Sequence, residues 1–300
     1  MFSLSTSWNA SRHSSGAEIV DEIRSLGFDT IELSFALPLN IVDEILGLYQ
    51  KGEIKVSSLH NMCPLPPEIP SNKASPDHYS LSALDDDERA RAVKIAMNTI
   101  DYAARFGARA VVFHIGRVDI KGKTRELAAL AGDKEKFETL KAEMISERRA
   151  KKDPYVDKVI DSLKQIAPYA AKKKVAPAVE NRYYYREIPL MDELEEIFSH
   201  FKIGELFYWH DVGHAEVFER LEFYRHRELL DKFSGRLIGT HLHDIIGLTG
   251  DHKAPGTGTF DFTILKPYIK KDTIKVIEAH QPASGEEVRR GAEYLKKIFE

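Results

Sequence analysis

Short apolar runs alternate with longer amphipathic stretches from one end of the chain to the other. Eight short runs predict strands at residues 1–7, 30–34, 55–60, 110–115, 175–181, 206–211, 237–243 and 274–280. Each is rich in Val, Ile, Phe or Leu, and none shows the strict alternation of a sheet with one wet face. Near-continuous apolar strands suit a parallel sheet covered by helices. The helical period is plain between them. Ile19, Ile23 and Leu26 share one face, and Gly27 then ends that helix. Ile95, Ile100 and Ala104 mark a long helix that starts near the acidic residues 85–87 and stops at Gly107. Ile160, Leu163, Ile166 and Ala170 define a third, with lysines 172–174 at its C-terminal end, and a last helix spans 285–299.

Two connections are stretched. A loop with Pro64, Pro66, Pro67, Pro70 and Pro76 follows the third strand. After the fourth comes a segment with 19 charged residues among the 37 from 117 to 153, in which Phe137, Leu140 and Met144 predict an added helix. Loops this long are either functional lids or excursions that decorate the fold or join subunits. No internal repeat beyond the strand–helix period and no linker divides the chain, so residues 1–300 are expected to form one α/β unit.

Composition narrows the partners more than the fold. With 43% apolar residues there is ample material for a core, while the net charge of −4 and pI near 6.3 argue against nucleic acid as the general partner. The single cysteine, Cys63, permits no internal disulfide. No run reaches the length of a membrane span and no signal pattern opens the chain, so a cytoplasmic protein is expected.

The candidate chemistry lies in five segments: Val-Glu-Asn (Glu180), His-Asp-Val-Gly-His (Asp211, His214), His-Leu-His-Asp (His241, His243, Asp244), His252, and Ile-Glu-Ala-His (Glu278). Glu180 to Asp211 is 31 residues, Asp211 to His241 is 30, and His241 to Glu278 is 37. One strand, one helix and two loops take roughly that length, so each group sits at the same point of a repeating unit. In a closed parallel barrel that point is one end. Glu180, Asp211, His241 and Glu278 would then meet as three carboxylates and an imidazole, a set suited to one divalent ion such as Mn²⁺, Mg²⁺, Co²⁺ or Zn²⁺. Carboxylates gathered inside a barrel mouth repel one another unless a cation lies between them. His60 and His114 end the third and fourth strands, and with His214, His243 and His252 they are candidates to grip substrate hydroxyls or additional zinc ions. Arg182 is a candidate for a substrate phosphate or carboxylate, with a rim ion pair as the plainer reading.

Nearly the whole chain resembles the xylose-isomerase-like TIM-barrel superfamily. The resemblance rests on Leu-Gly-Phe-Asp-Thr-Ile-Glu-Leu at 26–33, Val-Glu-Asn, Asp-Val-Gly-His-Ala at 211–215, His-Leu-His-Asp at 241–244, His-x-x-x-Gly-x-Gly-x-x-Asp from His252 to Asp261, and Glu278. It implies a (β/α)8 TIM barrel with insertions after strands 3 and 4. It also implies that Glu180, Asp211, His241 and Glu278 hold the metal, that Glu180 and Glu278 double as the catalytic acid–base pair, and that His214 contacts substrate or a second metal. The expected activity is isomerisation or epimerisation of a small sugar, polyol or sugar phosphate, by proton abstraction beside a polarised carbonyl. The rival branch, zinc endonucleases of abasic DNA, shares the same acids and histidines. In that branch an Asp stands two residues before the counterpart of His252; here Gly250 takes the place and Asp251 is adjacent, which weakens the expectation of a third metal. A silent sugar-binding relative is a further alternative, and the long insertions leave room for a homo-oligomer.

Overall fold

Because the eight apolar runs carry hydrophobic side chains on both faces, they are buried on both sides, and each forms a parallel strand of one closed barrel. The computed structural model describes residues 2–300; Met1, included in the first expected strand, lies outside the described residues. In chain order the elements are β1 (Ser3–Ser5), α1 (Gly16–Ser25), β2 (Thr30–Leu33), α2 (Leu39–Gln50), β3 (Lys55–His60), α3 (Asp86–Arg105) and β4 (Ala110–Phe113). Then follow α4 (Thr124–Ala129), α5 (Lys134–Lys151), α6 (Asp153–Lys173), β5 (Ala176–Glu180), α7 (Met191–Ser199), β6 (Phe207–Asp211), α8 (Val212–Arg220) and α9 (His226–Phe233). The chain closes with β7 (Leu237–Leu242), a hairpin of β8 (Asp244–Ile246) and β9 (Gly250–Lys253), β10 (Ile274–Ile277) and α10 (Gly285–Phe299). Around the barrel the order is β1, β10, β7, β6, β5, β4, β3, β2, all pairs parallel.

Period-two alternation along each strand sends one set of side chains into the lumen and the other under the helices. Ala110, Val112, Ala178, Trp209, Ile274 and Val276 fill the lumen. Trp209 is the largest of them and needs its neighbour to be small: a Cβ on Gly239 of β7 would stand 2.1 Å from the indole ring. Above this apolar floor, at the C-terminal ends of the strands, the inward positions turn polar. Helix ends are set locally. Ser15 with Glu18 and Ser284 with Glu287 form capping boxes on α1 and α10, and Asp85 caps α3 by accepting the Glu88 N–H at 2.7 Å.

The seventh unit departs from the regular plan. Between β7 and β10 the chain makes the β8–β9 hairpin and a short 3₁₀ turn at Phe262–Leu265 in place of a helix. Pro255, Gly256 and Gly258 interrupt any helical run there, and Asp244 organises the loop instead. Its buried carboxylate accepts backbone N–H groups of Ile245, Gly256 and Phe260 at 2.9, 2.9 and 3.0 Å. Asp244, metal-capable by type, is thereby committed to structure.

The charged segment after β4 forms α4 and α5, with Phe137, Leu140 and Met144 buried as their spacing implies. Its anchor is a residue that the apolar pattern does not mark. Arg148 is 1% exposed, pairs with Glu193 at 2.7 Å, and donates to the carbonyls of Tyr185 and Glu187 at 2.7 and 2.9 Å. The insertion is thus tied to the loop after β5, beside the barrel mouth.

Candidate functional site

The four equally spaced groups converge. One ligand-capable atom from each of Glu180, Asp211, His241 and Glu278 lies within 4.8 Å of all the others. His241 Nδ1 is central, 2.6 Å from Glu180 Oε1, 3.1 Å from Glu278 Oε2 and 3.7 Å from Asp211 Oδ2. All four residues are buried. Glu180 and Asp211 end their strands, and Glu278 follows directly on β10, so the positions come from the barrel's own geometry rather than from mobile loops.

A fifth residue, not marked as a candidate in the sequence, orients the imidazole. Glu32 on β2 is fully buried; its Oε1 accepts from His241 Nε2–H at 2.9 Å and its Oε2 accepts from the Ser58 hydroxyl at 2.7 Å. With Nε2 committed to Glu32, Nδ1 faces the three carboxylates. This is how a carboxylate fixes the tautomer of a metal-ligating histidine. The donor set therefore fits a hard or borderline divalent ion held by Glu180, Asp211, His241 and Glu278.

The electrostatics point the same way. Burial opposes ionisation of Glu180, yet the His241 charge and hydrogen bonds from His114, His241 and His60 hold its carboxyl well below the usual range. Burial likewise disfavours a charged His241, but Glu278, Glu32 and Glu180 push its pKa well above that of a free imidazole. Without a metal ion, the imidazolium supplies the positive charge at the centre of the tetrad, with Arg182 and His252 at its edges. A divalent ion must displace its proton, so affinity is expected to rise with pH through the neutral range, with about one proton released per ion bound. Calorimetric titration of the apoprotein with Co²⁺ in buffers of different ionisation enthalpy measures that number. Glu32→Gln is expected to weaken Co²⁺ binding about tenfold or more, read from the same titration.

Two further clusters flank the tetrad. His60, His114 and Glu180 form one, with His114 Nε2 2.8 Å and His60 Nε2 3.8 Å from Glu180 Oε2. His60 Nδ1–H donates to the Asn61 carbonyl at 2.7 Å, which turns Nε2 toward Glu180. His214, Asp251 and His252 form the other. Although it stands one residue from the place expected of it, Asp251 reaches this cluster: its Oδ2 lies 2.9 Å from His252 Nδ1 and 3.9 Å from His214 Nε2. Adjacent strand residues ordinarily point to opposite faces. His252 has a left-handed φ of 53°, however, and both side chains line the same cavity. Burial disfavours protonation of His252, but hydrogen bonds to Asp251 and Glu278 raise its pKa to about 10.

The remaining expected residues divide. His60, His114, Arg182, His214 and His252 line a cavity of about 480 Å³ over the tetrad, together with Glu180 and Glu278. The loop after β3 contributes Pro76 and Asp77 to its wall, and α4 contributes Arg125, so both insertions reach the pocket. His243 does not line it. That ring is fully buried; its Nδ1 accepts the His252 backbone N–H at 2.9 Å, so Nε2–H donates to both Asp211 oxygens at 3.0 Å. His243, expected to contact substrate, thus lies behind Asp211 rather than on the cavity wall. Arg182 lines the pocket but is buried among Asp77, Glu180 and Glu187 at 3.4, 3.2 and 3.2 Å, a rim ion-pair network. Its charge is compensated before any substrate anion arrives. His280, unmarked in the sequence, also lines the cavity and stacks on His252 at 3.9 Å; burial and the His252 charge lower its pKa to about 3.

Comparison with known proteins agrees with this architecture. A curated relative, an uncharacterized protein of Sinorhizobium fredii, is 25% identical over 218 residues, 73% of this chain, and the match spans only 59% of that protein's length. A D-tagatose 3-epimerase-like protein superposes with a TM-score of 0.69 at 18% identity, covering 99% of this chain and 96% of its own. The 3-keto-D-glucoside 4-epimerase of E. coli gives 0.68 at 14% identity, covering 99% and 98%. A Thermus thermophilus protein soaked with ZnCl₂ gives 0.62 at 19% identity, covering 99% and 97%. At these identities the structural likeness establishes the fold. The family model for the xylose isomerase-like TIM barrel matches residues 20–298, and the chain belongs to that family.

Proposed function

We propose that the protein is a divalent-metal-dependent isomerase or epimerase of a small sugar, polyol or sugar phosphate. The observation that carries this reading is the buried tetrad around His241 Nδ1, opening onto a cavity of small-molecule size with both candidate acid–base carboxylates on its wall. An ion held by Glu180, Asp211, His241 and Glu278 would supply the Lewis acidity that polarises a carbonyl and acidifies the neighbouring C–H. Glu278, ionised at neutral pH, accepts the proton from that carbon, and Glu180, ionised in the free protein as well, returns a proton to the opposite face after taking one up from solvent in the cavity. His60, His114 and His214 supply hydrogen bonds to sugar hydroxyls. The surrounding carboxylates disfavour an anionic chain such as duplex DNA. Structural neighbours that act on ketoses support the same substrate class.

A second reading, a zinc phosphodiesterase of abasic DNA, is favoured by one observation: the two flanking clusters are preassembled on either side of the tetrad. Elemental analysis and a ketose panel in deuterated solvent separate the two. One ion per chain and label at the carbon beside the carbonyl are the expected results. Three zinc ions per chain, with incision of an abasic oligonucleotide and no label in any ketose, would replace the sugar reading.

A further inference from the structure

Behind the pocket, on the outer face of β6, lies a hydrogen-bonded run of side chains that the chemistry above does not use. Tyr208 and His210 flank the inward-facing Trp209 and, like His226 on α9, are fully buried. The Tyr208 hydroxyl is 3.0 Å from Asn181 Oδ1 and 2.8 Å from His210 Nδ1. His210 Nε2 is 2.8 Å from His226 Nε2, and His226 Nδ1 is 3.2 Å from Glu216 Oε2. The run therefore extends from the residue after Glu180 to a half-buried carboxylate on α8.

Its direction is fixed from the Asn181 end. The Asp211 backbone N–H lies 2.8 Å from Asn181 Oδ1, and Asn181 Nδ2 lies 2.9 Å from the Asp211 carbonyl. A backbone N–H only donates and a carbonyl only accepts, so the amide has one orientation. Oδ1 is then an acceptor, and Tyr208 must spend its single proton on it. The phenol oxygen in turn needs a donor, so His210 carries its proton on Nδ1. Between the two rings one nitrogen must donate, and the last contact, to Glu216, also needs a proton. Every contact is satisfied only when the imidazole pair holds three protons. The extra one belongs on His226, which faces a carboxylate, whereas His210 has no acid within hydrogen-bonding distance. The groups around His226 are Glu216, Glu219 (accepting its backbone N–H at 2.6 Å), His210 and the stacked ring of Phe260. Burial opposes ionisation of Glu216, but hydrogen bonds from His226 and Arg220 lower its pKa.

We propose that Tyr208, His210 and His226 are positioning residues: a one-directional hydrogen-bond chain that locks the Asn181 amide and through it the Asp211 and His214 edge of the metal centre. Asn181 is the hub. Its side chain grips both main-chain groups of Asp211, and its carbonyl accepts His214 Nδ1–H at 3.0 Å, which leaves His214 Nε2 free toward the pocket. The inference rests on reading the tetrad as a metal site, and its test separates the two.

The first measurement needs no variant and no metal: ¹⁵N spectra of the wild-type imidazoles. His210 is expected as the neutral Nδ1–H tautomer and His226 with both nitrogens protonated. An unprotonated His210 Nδ1 would overturn the chain. The second is Co²⁺ affinity. Tyr208→Phe keeps the ring and removes the hydroxyl, and is expected to weaken binding about tenfold, the scale of support lost behind a ligand. His226→Leu should do the same, while His226→Gln, which restores a neutral donor toward His210, should return affinity to within about threefold of wild type. Leu and Gln are close in size, so equal affinities in these two variants would reduce the run to packing and overturn the proposal. Wild-type protein that binds no divalent ion would instead overturn the metal reading, with the spectra still deciding the chain.

Discussion

Glu278→Gln is expected to lower turnover on a ketose about a thousandfold or more while leaving the barrel folded. Two losses combine. An amide cannot take a proton from carbon, which alone accounts for about 10²–10⁴ in rate, and it replaces a charged donor with a neutral one in the tetrad. Burial disfavours the Glu278 carboxylate, but the His241 charge and the His252 hydrogen bond hold its pKa far below the usual range, so it is ionised at neutral pH. Glu278 sits just past β10 at the cavity wall, and Gln keeps its size and a polar group toward His241 and His252, so circular dichroism should be unchanged. Kinetics at saturating Co²⁺, on whichever ketose takes up deuterium, is the check. A variant retaining more than about a tenth of wild-type turnover would remove Glu278 from the acid–base role.

Arg148→Met should cost about 3–5 kcal/mol of stability, measured as a shift in the urea midpoint. The guanidinium satisfies the Glu193 carboxylate and two carbonyls in a region that water does not reach. Methionine replaces its volume but leaves Glu193 as an unpaired buried charge, the expensive way to break such a pair. Adding Glu193→Gln removes that charge while keeping an acceptor for the Leu190 N–H, which Glu193 now binds at 2.8 Å, and should recover much of the loss. A single-variant shift below about 1 kcal/mol would show that water relaxes into the site and that the insertion is not anchored there.

The eight strands were legible because burial on both faces leaves a short, near-continuous apolar signature in most of them. The structure trims most of those runs by one to three residues at their ends and keeps 55–60 whole. The tetrad was legible for a related reason. A repeating strand–helix unit returns the chain to the same end of the barrel every thirty-odd residues, so spacing substitutes for distance. The seventh unit broke the pattern because glycine and proline after β9, with Asp244 binding three backbone N–H groups, hold a loop where a helix was due.

By itself, the order of residues determined the barrel, the end of it where the acids and histidines gather, and the four groups that meet there, since all three follow from local periodicity repeated at a fixed interval. Tertiary structure alone decided which nitrogen of each histidine is free. It set Glu32 behind His241, turned His243 away from the pocket toward Asp211, enclosed Arg182 among three acids, and swung Asp251 to the same side as His252. Those outcomes depend on hydrogen-bond partners brought in from distant strands and on one left-handed backbone angle, neither of which leaves a periodic trace in the chain.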